Sequence, residues 1–318
     1  MQVYHAHWRI HPVVDGNDRT SFNAWMSKPK ILIQLDTDPK ASVFDAVVAL
    51  DGGAEQLLQY SAIRPEDVRG LVHGAMYTRG PGDLKNTAIF IGGSNVTEGE
   101  AIANIARETL FDPFRVSIML DSNGANSTAA AAVLNAAKHV SLANSRAVVL
   151  AATGAVGQRV CRILANAGAH VCVASRSMDR SRECIERLVA GGSPAEHLSP
   201  ICSTDLAELS NALSESQLVF GCGAAGARLL SADQLQSAKS LRVAIDLNAV
   251  APTGIEGIEL TDKGAQRGSR FDYGALGVGG LKMKIHKACI AALFESNNRF
   301  LDCQEMLVIG QEILDRSK

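Results

Sequence analysis

The chain has 318 residues, 47% hydrophobic and 20% charged, with a formal net charge of −2. That length suffices for two compact domains, and a near-neutral balance without a long basic run argues against nucleic-acid binding. No apolar stretch reaches membrane-spanning length, and seven cysteines without a CxxC pair or zinc-ligand spacing point to reduced, packed thiols in a cytoplasmic protein, with no metal site.

Residues 1–25 hold both tryptophans and three histidines, His5, His7 and His11, without periodicity or an apolar h-region. The expectation is a disordered tail, or an over-extended start with the initiator at Met26. From Lys30 the pattern becomes periodic. "KILIQLD" reads as a strand and "ASVFDAVVALDGGA" as a helix closed by Gly52 and Gly53. "RGLVHGAMYT", "NTAIFIGGS" and "FRVSIMLDS" read as further strands, with "TEGEAIANIARETLF" an amphipathic helix among them. "NGANSTAAAAVLNAAKHV" reads as a helix capped by Ser127 or Thr128, whose alanines suit close packing or a connector between lobes.

A second alternation follows: "RAVVLAAT", helix, "AHVCVAS", helix, "SQLVFGCGA", helix, "LRVAIDLNA". After the glycine-rich "GALGVGG", a helix from about Leu281 runs to Glu295, and a last one closes the chain. The fold expected is α/β, two α/β domains with a cleft between them, the second a Rossmann-type NADP-binding domain. Residues 26–140 plus about 275–318 form the first domain and 141–274 the second.

The second domain carries the clearest motif. Ala152, Gly154 and Gly157 occupy the three glycine places of GxGxxG, with a strand before and a helix after. Gly154 allows the backbone to approach a pyrophosphate, Gly157 allows close helix–strand packing, and the N–H groups of Thr153 to Val156 face the anion. Ala152 adds one methyl at the tight turn. About 20 residues further on stands Arg176, where an acid would select NAD; an arginine, with Ser175 and Ser177 as added donors, suits the 2′-phosphate of NADP. NAD is not blocked. Small residues in "FGCGAAG", including Gly223 and Ala224, line the passage for ribose and nicotinamide, and "DLNAVAP" offers Asp246 and Asn248 as carboxamide partners.

The residues alone lead to a two-domain NADP-linked oxidoreductase and no further. The blocks "QLDTDPKASVFDAVVALDGGA", "YTRG", "NTAIFIGGS", "FDPFRVSIMLDSNGANSTAAAA" and "YGALGVGGLKMKIHKACIAALFES" closely resemble the bacterial NAD(P)-dependent methylenetetrahydromethanopterin dehydrogenases. The resemblance runs from about Met26 to the final helices, diverging mainly between Met178 and Lys239. It implies reversible oxidation of a pterin-bound methylene group to a methenyl cation in one-carbon (formaldehyde) metabolism, with hydride passing to NADP or NAD. It also implies a small-molecule substrate, tetrahydromethanopterin as the one-carbon carrier, and a homo-oligomer, a trimer.

By the same resemblance Phe44 lines the pterin site with Asp45 nearby, and Lys282 and His286, four apart on one helix face, orient the pterin. Asp121, Asn123 and Thr128, at a strand-to-helix junction, either bind pterin or cap the helix. Strictly NADP-linked relatives carry a second basic residue after the arginine; Ser177 stands there in this chain, which favours dual cofactor use. The alternatives weighed are the same reaction on methylenetetrahydrofolate, a non-catalytic NADP-binding sensor, and a quinate/shikimate-type reductase, against which the "DTDPKASVFD" block argues.

Overall fold

The computed structural model describes residues 28–317; the expectations for the first 25 residues lie outside that range. The first lobe begins with β1 (Ile31–Asp36), α1 (Val43–Asp51), β2 (Gln56–Tyr60), α2 (Pro65–Met76), β3 (Thr87–Gly92), α3 (Val96–Thr109) and β4 (Ser117–Leu120). A short strand near the C-terminus, β12 (Phe300–Leu301), completes its five-stranded sheet in the order β12-β4-β3-β1-β2, every pair parallel. Helices cover both faces of such a sheet, so its central strands read as unbroken apolar runs. Every residue of β3 is buried.

The second lobe comprises β5 (Arg146–Leu150), α5 (Ala155–Asn166), β6 (His170–Ser175), α6 (Met178–Ala190), β7 (Leu198–Cys202), α7 (Leu206–Glu215), β8 (Leu218–Gly221), α8 (Ala232–Ser237), β9 (Val243–Asp246), β10 (Lys263–Arg267) and β11 (Arg270–Tyr273). Its sheet order is β10-β11-β9-β8-β5-β6-β7, parallel except for β10. The six parallel strands reproduce the doubly wound 3-2-1-4-5-6 order of dinucleotide-binding domains.

Three helices bind the lobes together: α4 (Ala125–Ala137), α9 (Ala275–Ala292) and α10 (Cys303–Asp315). α4 leads from β4 toward β5 and packs on α5, α9 and α10. Its run from Ala129 to Ala136 is buried on all sides, and small side chains let four helices approach one another closely.

Three local readings need correction. "RGLVHGAMYT" lies mostly in α2, whose start is set by Pro65 in its first turn and a reciprocal cap between Arg64 and Asp67; a short apolar run does not by itself separate helix from strand. The edge strands β2 and β7 were not expected, since β2 is largely exposed and lacks an apolar run. α9 starts at Ala275, before Leu281, and takes in the glycine-rich stretch. Two of its glycines serve packing: a Cβ on Gly274 would strike the Glu259 carbonyl and one on Gly277 the Asp262 carbonyl.

Candidate active site

In the first sheet the chain leaves β1 toward β2 and β3 toward β4, in opposite directions, which opens a crevice at the carboxyl ends of β1 and β3. Two aspartates organise that edge. Asp36, fully buried, accepts from the N–H of Asp38 at 2.9 Å and of Ser42 at 2.9 Å, folding the loop after β1. Asp38 reaches across to the loop after β3, accepting from Ser94 N–H at 3.0 Å and its hydroxyl at 2.6 Å. Ser42 then caps α1 by accepting from Asp45 N–H.

A cavity of about 270 Å³ results, lined by Asp38, Ser42, Phe44, Asp45, Gly93, Ser94, Asn123, Gly124 and Lys282. Phe44 is 52% exposed, with its ring open to the cavity. Lys282 comes from α9, and its Nζ lies 4.7 Å from the Phe44 ring centroid, within cation–π range. Burial pushes the Asp45 carboxyl above its ordinary pKa; His286, the Ser42 hydrogen bond and Lys282 offset part of that rise, while Asp121 adds to it. Asn123 is exposed in a left-handed conformation (φ 54°) and donates its N–H to Gly93 O at 2.7 Å. Thr128 is half-buried one turn into α4, beside Gly124.

Asp121 and His286 sit behind this cavity, each about 1% exposed. Asp121 Oδ1 accepts from the N–H groups of Asn126 (2.9 Å) and Ser127 (3.0 Å), and Oδ2 from the Ser127 hydroxyl (2.6 Å). His286 Nδ1 lies 3.0 Å from Oδ2, off the line of a straight hydrogen bond. Burial acts to raise the Asp121 pKa, but His286 and the Ser127 bonds outweigh it and hold the carboxyl below its ordinary value. Of the two roles open to Asp121 from the sequence, its hydrogen bonds match helix capping: its oxygens face the first turn of α4 and His286. The pair joins α4 to α9, the helix that carries Lys282.

The second lobe places its glycine turn where the fingerprint predicts. Ala151 takes the left-handed conformation (φ 53°), and Ala152, fully buried, donates its N–H to Ala174 O. No side chain caps α5 at Gly154, so the first-turn N–H groups stay open to an anion, and Thr153 to Val156 are partly exposed. A Cβ on Gly157 would lie 2.7 Å from Ala152 Cα and 2.9 Å from Ala151 O. These features fit a nicotinamide dinucleotide: a bare helix start, and a helix drawn onto its strand.

At the end of β6, Ser175 is nearly buried and its hydroxyl accepts weakly from Ser177 N–H at 3.5 Å, while Arg176 is exposed. Ser177 precedes α6 without capping it. Gly223 and Ala224 lie in the loop after β8, the first half-buried and the second exposed. Asn248 requires a correction: it is 3% exposed, donates to Pro252 O and accepts from Val250 N–H, so its amide holds its own loop. Asp246 is likewise buried, accepting from the N–H groups of Asn248 and Ile255.

Asp36, Asp38 and Ser94 escaped the sequence reading. Their signal was an acid pair just past a strand end, on the edge where parallel sheets bind ligands. All seven cysteines are free, and Cys161, Cys184, Cys289 and Cys303 are buried. Among the described residues no group of three or more His, Cys, Asp or Glu is placed to hold a metal ion, and no helix is long and apolar enough to cross a membrane.

Two parallel sheets, one doubly wound around an open glycine turn and the other ending in a pocket that the shared helix α9 helps to line, are the plan of a two-lobed α/β dehydrogenase. Shikimate 5-dehydrogenase from Listeria monocytogenes, in complex with shikimate and NAD, shares it with a TM-score of 0.51 at 13% identity, over 90% of this chain and 96% of that one; the likeness is one of fold. Residues 43–123 match the family described as methylene-tetrahydromethanopterin dehydrogenase, N-terminal. The chain is 42% identical over 294 residues to the bifunctional protein MdtA of Methylorubrum extorquens, covering 91% of this chain and 100% of that one. It is 28% identical over 301 residues to the NAD(P)-dependent methylenetetrahydromethanopterin dehydrogenase of the same organism, covering 89% and 98%. The chain belongs to the methylenetetrahydromethanopterin dehydrogenase family.

Proposed function

We propose that this protein oxidises 5,10-methylenetetrahydromethanopterin reversibly to the methenyl cation, with NADP as the preferred hydride acceptor and NAD as a second. The observation that carries this reading is the 42% identity across the full length of a family relative; the crevice lined by Phe44 and Lys282 supports the assignment of roles. When bound, the nicotinamide supplies the hydride-accepting carbon. The substrate's own nitrogen lone pairs expel the hydride, so the protein has no proton to move in the chemical step.

Its task is to hold the reacting carbons in line and to exclude water, positioning worth several kcal/mol in well-aligned reactions. Phe44 offers a ring face to the pterin. Lys282, held over Phe44, orients polar groups of the substrate; a cation beside a forming cation gives no charge stabilisation, so its role is positioning. Asp45, with its carboxyl biased toward the neutral form, Asn123 and Thr128 complete the substrate wall, and Asp121 with His286 fixes α9. Thr153, Gly154, Ala155, Val156 and Gly157 hold the pyrophosphate, Ser175, Arg176 and Ser177 the 2′-phosphate, and Gly223 and Ala224 the ribose and nicotinamide edge.

A homotrimer belongs to the same reading. Val43, Val47 and Leu50 form one apolar face of α1, exposed by 76%, 54% and 51%, a stripe that supports self-association; sedimentation equilibrium tests it, and a monomer refutes it. The activity test crosses methylenetetrahydromethanopterin and methylenetetrahydrofolate with NADP and NAD in initial-rate assays. Turnover on the methanopterin substrate is expected, with Phe44→Ala lowering kcat/KM at least tenfold. No turnover on it by protein shown to bind NADP overturns the proposal.

A further inference from the structure

Away from the crevice, between α3 of the first lobe and α5 and α6 of the second, lies a larger cavity of about 400 Å³. Four arginines line it, with two acids, Glu100 and Asp302. Arg159, 8% exposed, forms its inner wall: Nη2 donates to Glu100 at 2.8 Å, Nη1 to Ala155 O at 2.9 Å, and Nε to the Asn126 side chain. Arg162 stands 3.4 Å from Asp302, and its Nε is buried without a partner. Arg107 lies over the Phe300 ring at 4.4 Å, and Arg187 touches Cys184; neither forms an ion pair among the described residues. Both sit exposed in the last turns of their helices. The helix dipole favours a cation there and occupies none of the guanidinium donors, of which Arg187 directs one to the Cys184 thiol.

The balance of the lining is two positive charges in excess, in a space of the size that encloses a small molecule. Guanidinium forks match the paired oxygens of phosphate and carboxylate groups. We propose that this inter-lobe cavity is a second anion site, taking a small dianion of the phosphate or dicarboxylate class, held by Arg107 and Arg187 at the mouth and Arg162 within. It is separate from the 2′-phosphate pocket at Arg176 and does not depend on the identity of the dehydrogenase substrate. Arg159 sets its inner boundary and also touches the first turn of α5 and the base of α4, so an occupant bridges both lobes.

The test is calorimetric titration of NADP-saturated protein with inorganic phosphate and, separately, with succinate; saturation fills the cofactor's own phosphate pocket beforehand. Saturable binding of at least one probe, one per chain, is expected. The double variant Arg107→Gln/Arg187→Gln is expected to weaken it at least tenfold while keeping melting temperature and dehydrogenase rate. Asn104→Glu, which adds a carboxylate to the same lining, is expected to abolish it. Absence of saturable binding for both probes overturns the proposal, as does undiminished affinity in both variants. Arg176→Ala in the NADP-free protein separates the pockets: loss of all phosphate binding there assigns it to the cofactor site and overturns the second one.

Discussion

Removing the Asp121 carboxylate tests whether the buried pair behind the crevice holds α4 and α9 in place. Asp121→Ala strands two buried backbone N–H groups and removes the carboxylate beside His286 Nδ1, while the Ser127 hydroxyl falls back on Gly124 O. Each buried donor left unsatisfied costs about 1–3 kcal/mol, so losing the acceptor of two N–H groups costs about 2–6 kcal/mol, a fall on the order of 10 °C in melting temperature. Asp121→Asn keeps an oxygen for the two N–H groups that Oδ1 serves and forfeits only the Oδ2 side, so its cost is about 1–2 kcal/mol. The sign with pH follows from the lowered carboxyl pKa. A depressed folded pKa contributes stability that is complete above the unfolded value of about 3.9 and is lost as pH falls through the folded one. The gap between wild type and Asp121→Asn therefore closes in acid. Denaturant unfolding of the three proteins across pH 3–8 measures it. A loss under 1 kcal/mol for Asp121→Ala, or a gap that widens in acid, refutes the reasoning.

Gly157→Ala forces backbone apart at 2.7 Å contact with Ala152, and overpacking of this kind costs about 1–3 kcal/mol; fluorescence titration should show NADP affinity lowered at least tenfold, and unchanged affinity counts against the turn as the pyrophosphate site. Arg176→Ala removes charge-assisted bonds worth about 1.5–3 kcal/mol, so the kcat/KM ratio of NADP to NAD should drop by roughly 10- to 100-fold, with the NAD rate little altered. The Asp45 carboxyl titrates above its ordinary value because it is half-buried, so its contribution to stability is present below the unfolded pKa and is lost as pH rises through the folded one. The pH profile of kcat/KM should accordingly carry an inflection above the ordinary aspartate value that Asp45→Asn removes; an identical profile in the variant argues against Asp45 at the substrate.

Contiguous stretches were the legible part. The glycine turn from Ala152 to Gly157 puts strand, anion site and helix within a dozen residues, so its geometry follows from local backbone rules alone. The alternation of apolar runs likewise determined a pair of parallel sheets, because strands buried on both faces must be apolar throughout. Two other elements were illegible: β2 because it is largely exposed, and α2 because its apolar run is not distinguished from a strand by period and length.

Only the tertiary structure decided which polar residues line the crevice and which are consumed by the fold. Asp121 and Asn248 stand at strand ends as plausibly as Asp38 does, yet their hydrogen bonds are closed by α4 and by the Pro252 loop. Phe44 and Lys282 meet because α9, leaving the second sheet, crosses back onto the first. Arg159 looks like any helix arginine until α3 and α4 enclose it. A sequence records the donors and acceptors a chain carries; which of them remain unpaired depends on contacts between segments far apart along it, and those exist only once the lobes have packed.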